Sequence, residues 1–351
     1  MDPTSTQRPS PAFASRALRS TARAFVMFLR VLRANPLTLV GFILVVVIVG
    51  AAGLMAVVPH VLAPYGPLQA SNDFVQGPSV HHLLGTDGNG YDIYSEVMYA
   101  LPLDLLLAVA IAGFALIFGG ALGLISGYWD TPGTLAGALS TLILRITDVF
   151  LAFPSLILAL AITVGLGLGA WQAALAVMLT WWPYYVRLVR GETLAVKHLP
   201  YVTAAKAAGV TDGRIVLRHI LRNVLEPVVV YFSMDIGTVL VTFSTIGFVV
   251  VPIPYPSATP EWGSMMSYYQ NSGLITSYPW TILGPGAAIF ITVLAFSLLG
   301  DGLRDILDPR SRRVLAGTGT GGISAGAPDP LRSASAPPAE STPVPEVRSP
   351  S

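Results

Sequence analysis

The sequence has no cysteine, which excludes disulfides, thiol catalysis and cysteine-based metal sites. Charge is also scarce. Asp, Glu, Lys and Arg together make up 11% of the residues, against roughly 25% in an ordinary soluble domain. Too little polar material is present to cover a water-exposed surface, so lipid must be the solvent for much of the chain. There is no Gly-x-x-x-x-Gly-Lys-Ser/Thr stretch to cradle ATP phosphates and no His-Glu-x-x-His zinc motif. With no catalytic constellation, the reading is a non-enzyme without bound cofactor. His81 and His82 are adjacent and lack further His at ligand spacing, so no metal site is expected. A net charge of +1 points to no nucleic-acid partner.

What the chain has in abundance is apolar sequence: 53% of its 351 residues are hydrophobic. A transmembrane helix needs ~20 mainly apolar residues to cross ~30 Å of hydrocarbon. Six stretches qualify: 37–58, about 101–128, about 139–166, 170 to about 188, about 227–251 and about 281–299. The expected fold class is therefore all-α, a polytopic membrane bundle of about six helices.

Sidedness follows from Lys and Arg. Six Arg precede the first span, seven Lys or Arg lie between Arg187 and Arg222, and six lie from Arg304 onward. The loops 59–100 and 252–280 have none. One arrangement fits: both termini and the 187–222 segment are cytoplasmic, and the two basic-free loops face outward. The expected division is a cytoplasmic tail over 1–35 and a transmembrane domain over 36–310. Within that domain lie a first span at 37–58, an outer loop at 59–100, a five-span core at 101–300 and a cytoplasmic segment at 190–225. The Gly-, Ser- and Pro-rich stretch 311–351 has no aromatic residue and reads as a disordered cytoplasmic tail. The first apolar run is too long for a cleaved signal and reads as a retained anchor.

The 190–225 segment is too polar to span. Tyr201 to Ala208 is rich in helix formers. Gly209 suits a left-handed helix terminus, and Thr211 or Asp212 can cap a second helix from about Gly213 to Leu225. Ile215, Val216, Ile220 and Val224 fall near one face of it. Two short helices at a sharp corner on the cytoplasmic surface are expected. Periodicity alone favours the plainer reading, a membrane-surface helix that merely connects two spans, because such helices are common.

This segment resembles the Glu-Ala-Ala loop of ATP-binding-cassette importer permeases. Here that loop reads Thr203-Ala204-Ala205, three residues, Gly209, then His219-Ile220-Leu221-Arg222. Thr203 stands where an acid is usual, and Arg222 where Pro is usual. Further matches follow in order along some 280 residues. Leu84-Gly85-Thr86-Asp87-Gly88-Asn89-Gly90-Tyr91-Asp92 is similar to a signature of the C-type permease subunit of dipeptide, oligopeptide and nickel importers. Arg145-Ile-Thr-Asp148-Val-Phe-Leu-Ala-Phe153-Pro154, Thr259-Pro260-Glu261-Trp262-Gly263 and Leu299-Gly300-Asp301-Gly302-Leu303-Arg304 also match. The resemblance implies a permease that forms the path for a solute, most simply a di- or oligopeptide. It implies four kinds of partner: a second, different permease subunit, two ATPase subunits, an extracytoplasmic solute-binding protein, and membrane lipid. It places the chain in the cell (plasma or inner) membrane. It gives Thr203, Ala204, Ala205, Gly209, Ile220 and Leu221 the role of coupling to ATP hydrolysis.

Three ionisable residues in the spans are candidates for the path. Arg145 and Asp148, three apart, suggest an ion pair on one helical face. That pair is either a contact that changes during transport or a static one. Asp235 lies within the fifth span, where an acid is a functional candidate by default. It either lines the path or hydrogen-bonds to neighbouring helices. These acids also keep open an ion-coupled secondary transporter, and a membrane anchor without transport is the third reading. Asp87, Asp92 and Glu96 suggest a capped turn leading into a short helix rather than a Ca²⁺ loop. Trp129, Trp171, Trp262 and Trp280 suggest an interfacial aromatic belt.

Overall fold

The computed structural model describes residues 36–167, 169–249 and 255–307. The tails expected at 1–35 and 311–351 lie outside them. The chain divides into a unit at 1–308 and a second at 309–351, and only the first contains described residues.

The first unit is a helical bundle. Helix α1, Pro36–Val57, begins on a proline, whose missing N–H and fixed φ suit a first helical position. Helix α2 covers Ile93–Tyr128, with one π turn at Ala115–Gly119. Its start is fixed by Asp92, whose carboxylate accepts from the Ser95 amide at 2.8 Å. Helices α3, Leu135–Leu151, and α4, Ser155–Leu166, meet at an angle of 86°. Helix α5 is Ala170–Lys197 and the short helix α6 is Pro200–Ala207. Helix α7 runs unbroken from Asp212 to Val249 through a π turn at Val216–Ile220. Helix α8 is Trp262–Asn271, α9 the single turn Leu274–Ser277, and α10 Trp280–Leu307.

α1, α2, α7 and α10 are long and apolar enough to cross a membrane, and the bent α3–α4 pair counts as a fifth crossing if taken as one. The protein is thus a multi-pass all-α membrane protein, but length and apolarity do not support the count of six. α5 is helical as expected, yet Gln172 and the run Trp181-Trp182-Pro183-Tyr184-Tyr185 dilute its apolar character. Two other expectations change. The third stretch is not one helix: α3 ends at Leu151 and α4 begins after Pro154, which has no N–H to donate and disfavours helix at the residue before it, so the chain turns there. The second helix starts at Ile93, eight residues before the expected Leu101, because the Asp92 cap sets its boundary rather than hydropathy. The capped helix is accordingly long, not short.

The core lies where α2, α5, α7 and α10 converge, with Leu107, Ile111, Val177, Val239, Leu240 and Phe243 fully buried. Close approach of α2 to α5 depends on a glycine every fourth residue. A Cβ at Gly123 would lie 2.8 Å from the Val186 carbonyl, one at Gly127 2.7 Å from Thr193 Cβ, and one at Gly119 against the Trp182 carbonyl. Small residues at this spacing let two membrane helices pack backbone to backbone. The contact is held at the end of α2 by cations from α5. Arg190 donates to the Ser126 carbonyl and pairs with Asp130 at 3.1 Å, and Lys197 Nζ donates to the Gly127 carbonyl at 3.0 Å. Both satisfy the orphan carbonyls of a helix C-terminus. α1 packs through Thr38 and Gly41 onto Gly302 and Leu298 of α10, and turns apolar residues such as Val46 and Val47 outward.

Candidate coupling segment and intramembrane polar sites

Helix α6 opens on Pro200 and closes on Gly209. Gly209 has φ +77°, in the left-handed region that favours glycine. Its N–H donates to the Lys206 carbonyl at 3.0 Å, and the Val210 N–H donates to the Ala205 carbonyl at 3.1 Å. This is the Schellman arrangement, with Val210 and Ala205 packed on the same apolar cluster.

One side of α6 is seated and the other is bare. Val202 is fully buried in a cluster with Tyr128 of α2, Val189 and Val196 of α5, and Ile215, Val216, Ile220 and Val224 of α7. Thr203, Ala204, Ala207, Ala208 and Gly209 are exposed, Ala205 and Leu221 half-buried. Polar contacts fasten the seat. The Tyr128 hydroxyl donates to Asp212 at 2.5 Å, Lys206 Nζ sits 4.8 Å from the Tyr128 ring centroid, and Asn223 Nδ2 donates to the Tyr201 hydroxyl at 2.9 Å. α6 therefore touches the ends of three long helices at once.

Here too the structure departs from expectation. The second helix of the segment is not a separate surface helix, because it is the first four turns of α7 and continues directly into the span. Thr211 precedes it without a capping side-chain bond, and Asp212 is taken up by Tyr128. Of the six residues singled out, Thr203, Ala204, Ala205 and Gly209 lie on or just after α6, while Ile220 is buried at the root of α7 beside Leu221.

The intramembrane candidates separate. Asp148 pairs with Arg187 of α5 at 2.8 Å, not with Arg145. Arg145 is exposed and makes no ion pair among the described residues. Asp235 has two partners on α5: Trp181 Nε1 donates to its Oδ2 at 3.0 Å and the Tyr185 hydroxyl at 2.9 Å. It is 4% exposed and ties α7 to α5 within the subunit.

A third polar site was not legible as such. Glu261 caps α8, accepting from the Gly263 and Ser264 amides at 2.7 Å each, and Gly247 of α7 leaves the space its carboxylate fills. Asp104 of α2 accepts from the Trp262 amide at 3.0 Å, and Trp262 Nε1 donates to the Val97 carbonyl at 3.0 Å. Burial pushes the Glu261 carboxyl up to about 7. Trp262 is fully buried and so belongs to this anchor, not to an aromatic belt. The signal was there for Asp104: it is an acid inside an apolar stretch, like Asp235. In the loop before α2, His82 Nδ1 lies 2.9 Å from Asp92 Oδ1, and Asp87 Oδ1 accepts from the Asn89 and Tyr91 amides at 2.8 and 2.9 Å. Burial raises the Asp87 carboxyl. No group of three or more potential metal ligands occurs among the described residues.

Residues 119–313, from the π turn of α2 through the seated corner and past α10, match the family described as binding-protein-dependent transport system inner membrane component. The chain belongs to that family. It is 38% identical over 283 residues to the dipeptide transport system permease protein DppC of Alkalihalophilus pseudofirmus, covering 80% of this chain and 88% of that one. It is 35% identical over 281 residues to the probable D,D-dipeptide transport system permease protein DdpC of Escherichia coli K12, covering 80% and 90%. It is 34% identical over 300 residues to the glutathione transport system permease protein GsiD of Pectobacterium atrosepticum, covering 86% and 95%. Among solved structures, the MetNI methionine ABC transporter in an inward-facing conformation aligns with a TM-score of 0.45 at 21% identity, covering 60% of this chain and 97% of that one. By its family and these permease relatives, the chain is a multi-pass inner-membrane subunit of an ATP-binding-cassette importer.

Proposed function

We propose that this permease forms one half of the path for a di- or oligopeptide, and that hydrolysis on separate ATPase subunits is transmitted to it through α6. The observation that carries the reading is the seat of α6. Its bare face of small residues suits docking by another subunit. Its buried face, centred on Val202, touches α2, α5 and α7 together. A displacement of α6 by a closing ATPase would be shared among three long helices, because packed interiors shift between discrete arrangements rather than deform smoothly. Thr203, Ala204, Ala205 and Gly209 form the docking edge, and Ile220 and Leu221 carry the push into α7. On this reading the basic end of the bundle and both termini are cytoplasmic. An extracytoplasmic binding protein delivers solute at the basic-free end, and a second, different permease completes the path. The chain itself hydrolyses nothing. The peptide assignment draws on relatives named for dipeptide and glutathione transport.

Asp235 serves this machine as a tie between α5 and α7, and Asp148–Arg187 as a surface tie between α3 and α5. An ion-coupled carrier would need an intramembrane acid open to water. Asp235 is buried, with two donors on one oxygen. The test is uptake of a labelled dipeptide into vesicles holding the complete assembly and its binding protein. Uptake that needs internal or external ATP and survives an uncoupler is expected. Uptake that persists without ATP and collapses with the proton gradient would refute the reading.

A further inference from the structure

The spans turn two kinds of surface outward. On α1, α2 and the part of α10 before Asp301 the exposed residues are apolar, as at Val46, Val47, Leu106, Leu283 and Phe290. These suit lipid. The basic-free half of α7 mixes polar residues with apolar ones. Tyr231 and Thr238 are exposed beside Val241 and Val249, and Thr242 and Thr245 are half-buried. Spacings of seven, four and three put the four polar residues on one helical face. Thr242 and Thr245 donate their hydroxyl protons to the carbonyls of Thr238 and Val241, at 2.9 and 2.7 Å. Their oxygens remain as acceptors along that face.

Beside this row lies a pocket of about 110 Å³ between α7, α8 and α10, lined by Val241, Ser244, Thr245, Phe248, Met266 and Ile289. Ser244 is 4% exposed, and its Oγ is buried without a hydrogen-bond partner. A buried hydroxyl left unpaired is costly, and an acyl chain cannot satisfy it. An amide or carbonyl brought by a solute can. Apart from Thr245 the rest of the lining is apolar, and the pocket is small, which suits a short side chain rather than a charged one.

We propose that the Thr238–Thr242–Thr245 face of α7 lines the solute path, and that the Ser244 pocket is a subsite for the backbone amide and short side chain of a passing peptide. The inference rests on the importer reading and gives it a specific surface. Asp235 falls on the same face by spacing, between Tyr231 and Thr238, but is covered there by Trp181 and Tyr185 of α5.

The chain has no native cysteine, so single-cysteine variants label without background in this subunit. The assembly in vesicles is treated with a charged thiosulfonate that does not enter lipid, and labelling of this chain is read by mass. Thr238→Cys and Thr242→Cys should react, and Val46→Cys and Phe290→Cys should not. Alanyl-alanine, with its binding protein and ATP, should slow labelling of Ser244→Cys. Ser244→Ala should raise the apparent KM for alanyl-alanine by roughly threefold to tenfold, the loss of one hydrogen bond. It should do so without lowering the melting temperature, because the variant removes an unpaired polar group. Equal reactivity at Thr238 and Val46, or an unchanged KM in Ser244→Ala, would overturn the subsite while ATP-driven uptake by the parent left the importer standing. No ATP-driven peptide uptake by the parent would overturn both.

Discussion

Replacing Gly209 should separate ATP hydrolysis from transport, and its energetics can be worked from the backbone alone. A Cβ built at Gly209 meets nothing within 4 Å. The substitution therefore costs no steric clash and acts only through φ +77°. The left-handed region costs a residue with a Cβ about 1–2 kcal/mol, most for a β-branched one and least for Asn. If the residue leaves that region, the bonds from the Gly209 and Val210 amides go with it, each contributing about 0.5–1.5 kcal/mol. A bias of ~1.4 kcal/mol is a tenfold shift in population. Staying costs about 1–2 kcal/mol and leaving about 1–3, so Gly209→Val should populate a misformed end of α6 beside the native one while insertion hardly changes, since the site is exposed. The assay is the ratio of dipeptide transported to ATP hydrolysed in vesicles. The ratio should fall most in Gly209→Val, less in Gly209→Ala and least in Gly209→Asn. Full coupling in the Val variant, or equal loss in the Asn and Val variants, would refute the reasoning.

Three further outcomes follow from other parts of the bundle. Gly123→Leu forces a side chain into the Val186 carbonyl and Val189 side chain of α5, 2.8 Å from its Cβ. It should destabilise the purified chain by at least the ~1–3 kcal/mol of an overpacked core, seen as a lower melting temperature in detergent. Asp235→Asn keeps an acceptor for Trp181 and Tyr185 and should retain uptake, whereas Asp235→Ala leaves buried donors unpaired and should lose about 1–3 kcal/mol of stability. Abolished uptake in a stable Asn variant would restore a protonic role. Burial raises the Glu261 carboxyl above the ordinary 4.5. Above that value the folded chain holds on to a proton that the unfolded chain has released, so stability should fall as pH rises from there. Asp87, also raised by burial, acts in the same direction. Melting temperature should drop from about pH 5 to about pH 7.5, and Glu261→Gln should flatten the slope. A melting temperature that rises with pH would contradict this.

Much of the fold could be read from apolar runs, because lipid imposes a length and leaves backbone groups to be satisfied within each helix. Boundaries set by single side chains were harder to see. Asp92 moved the start of α2, and Pro154 broke what hydropathy joins. α5 was found as a helix, but its aromatic run blurs its membrane character. In the 190–225 segment, Gly209 and the buried face of Ile215, Val216, Ile220 and Val224 follow from local rules, which act within a few residues. The Tyr128–Asp212 bond, the Asp148–Arg187 pair and the Asp104–Trp262 anchor join residues 84, 39 and 158 positions apart. Nothing in local spacing reports such pairings. The three-residue spacing of Arg145 and Asp148 instead suggested a partner that the fold does not use.

The central claim is that this chain works only within an ATP-driven assembly. The most direct measurement is purification of the tagged chain from its native membrane in mild detergent, with mass spectrometry of the proteins that accompany it. The account requires a second multispan permease and P-loop ATPases in stable proportion. Recovery of the chain alone, across several detergents, would contradict it.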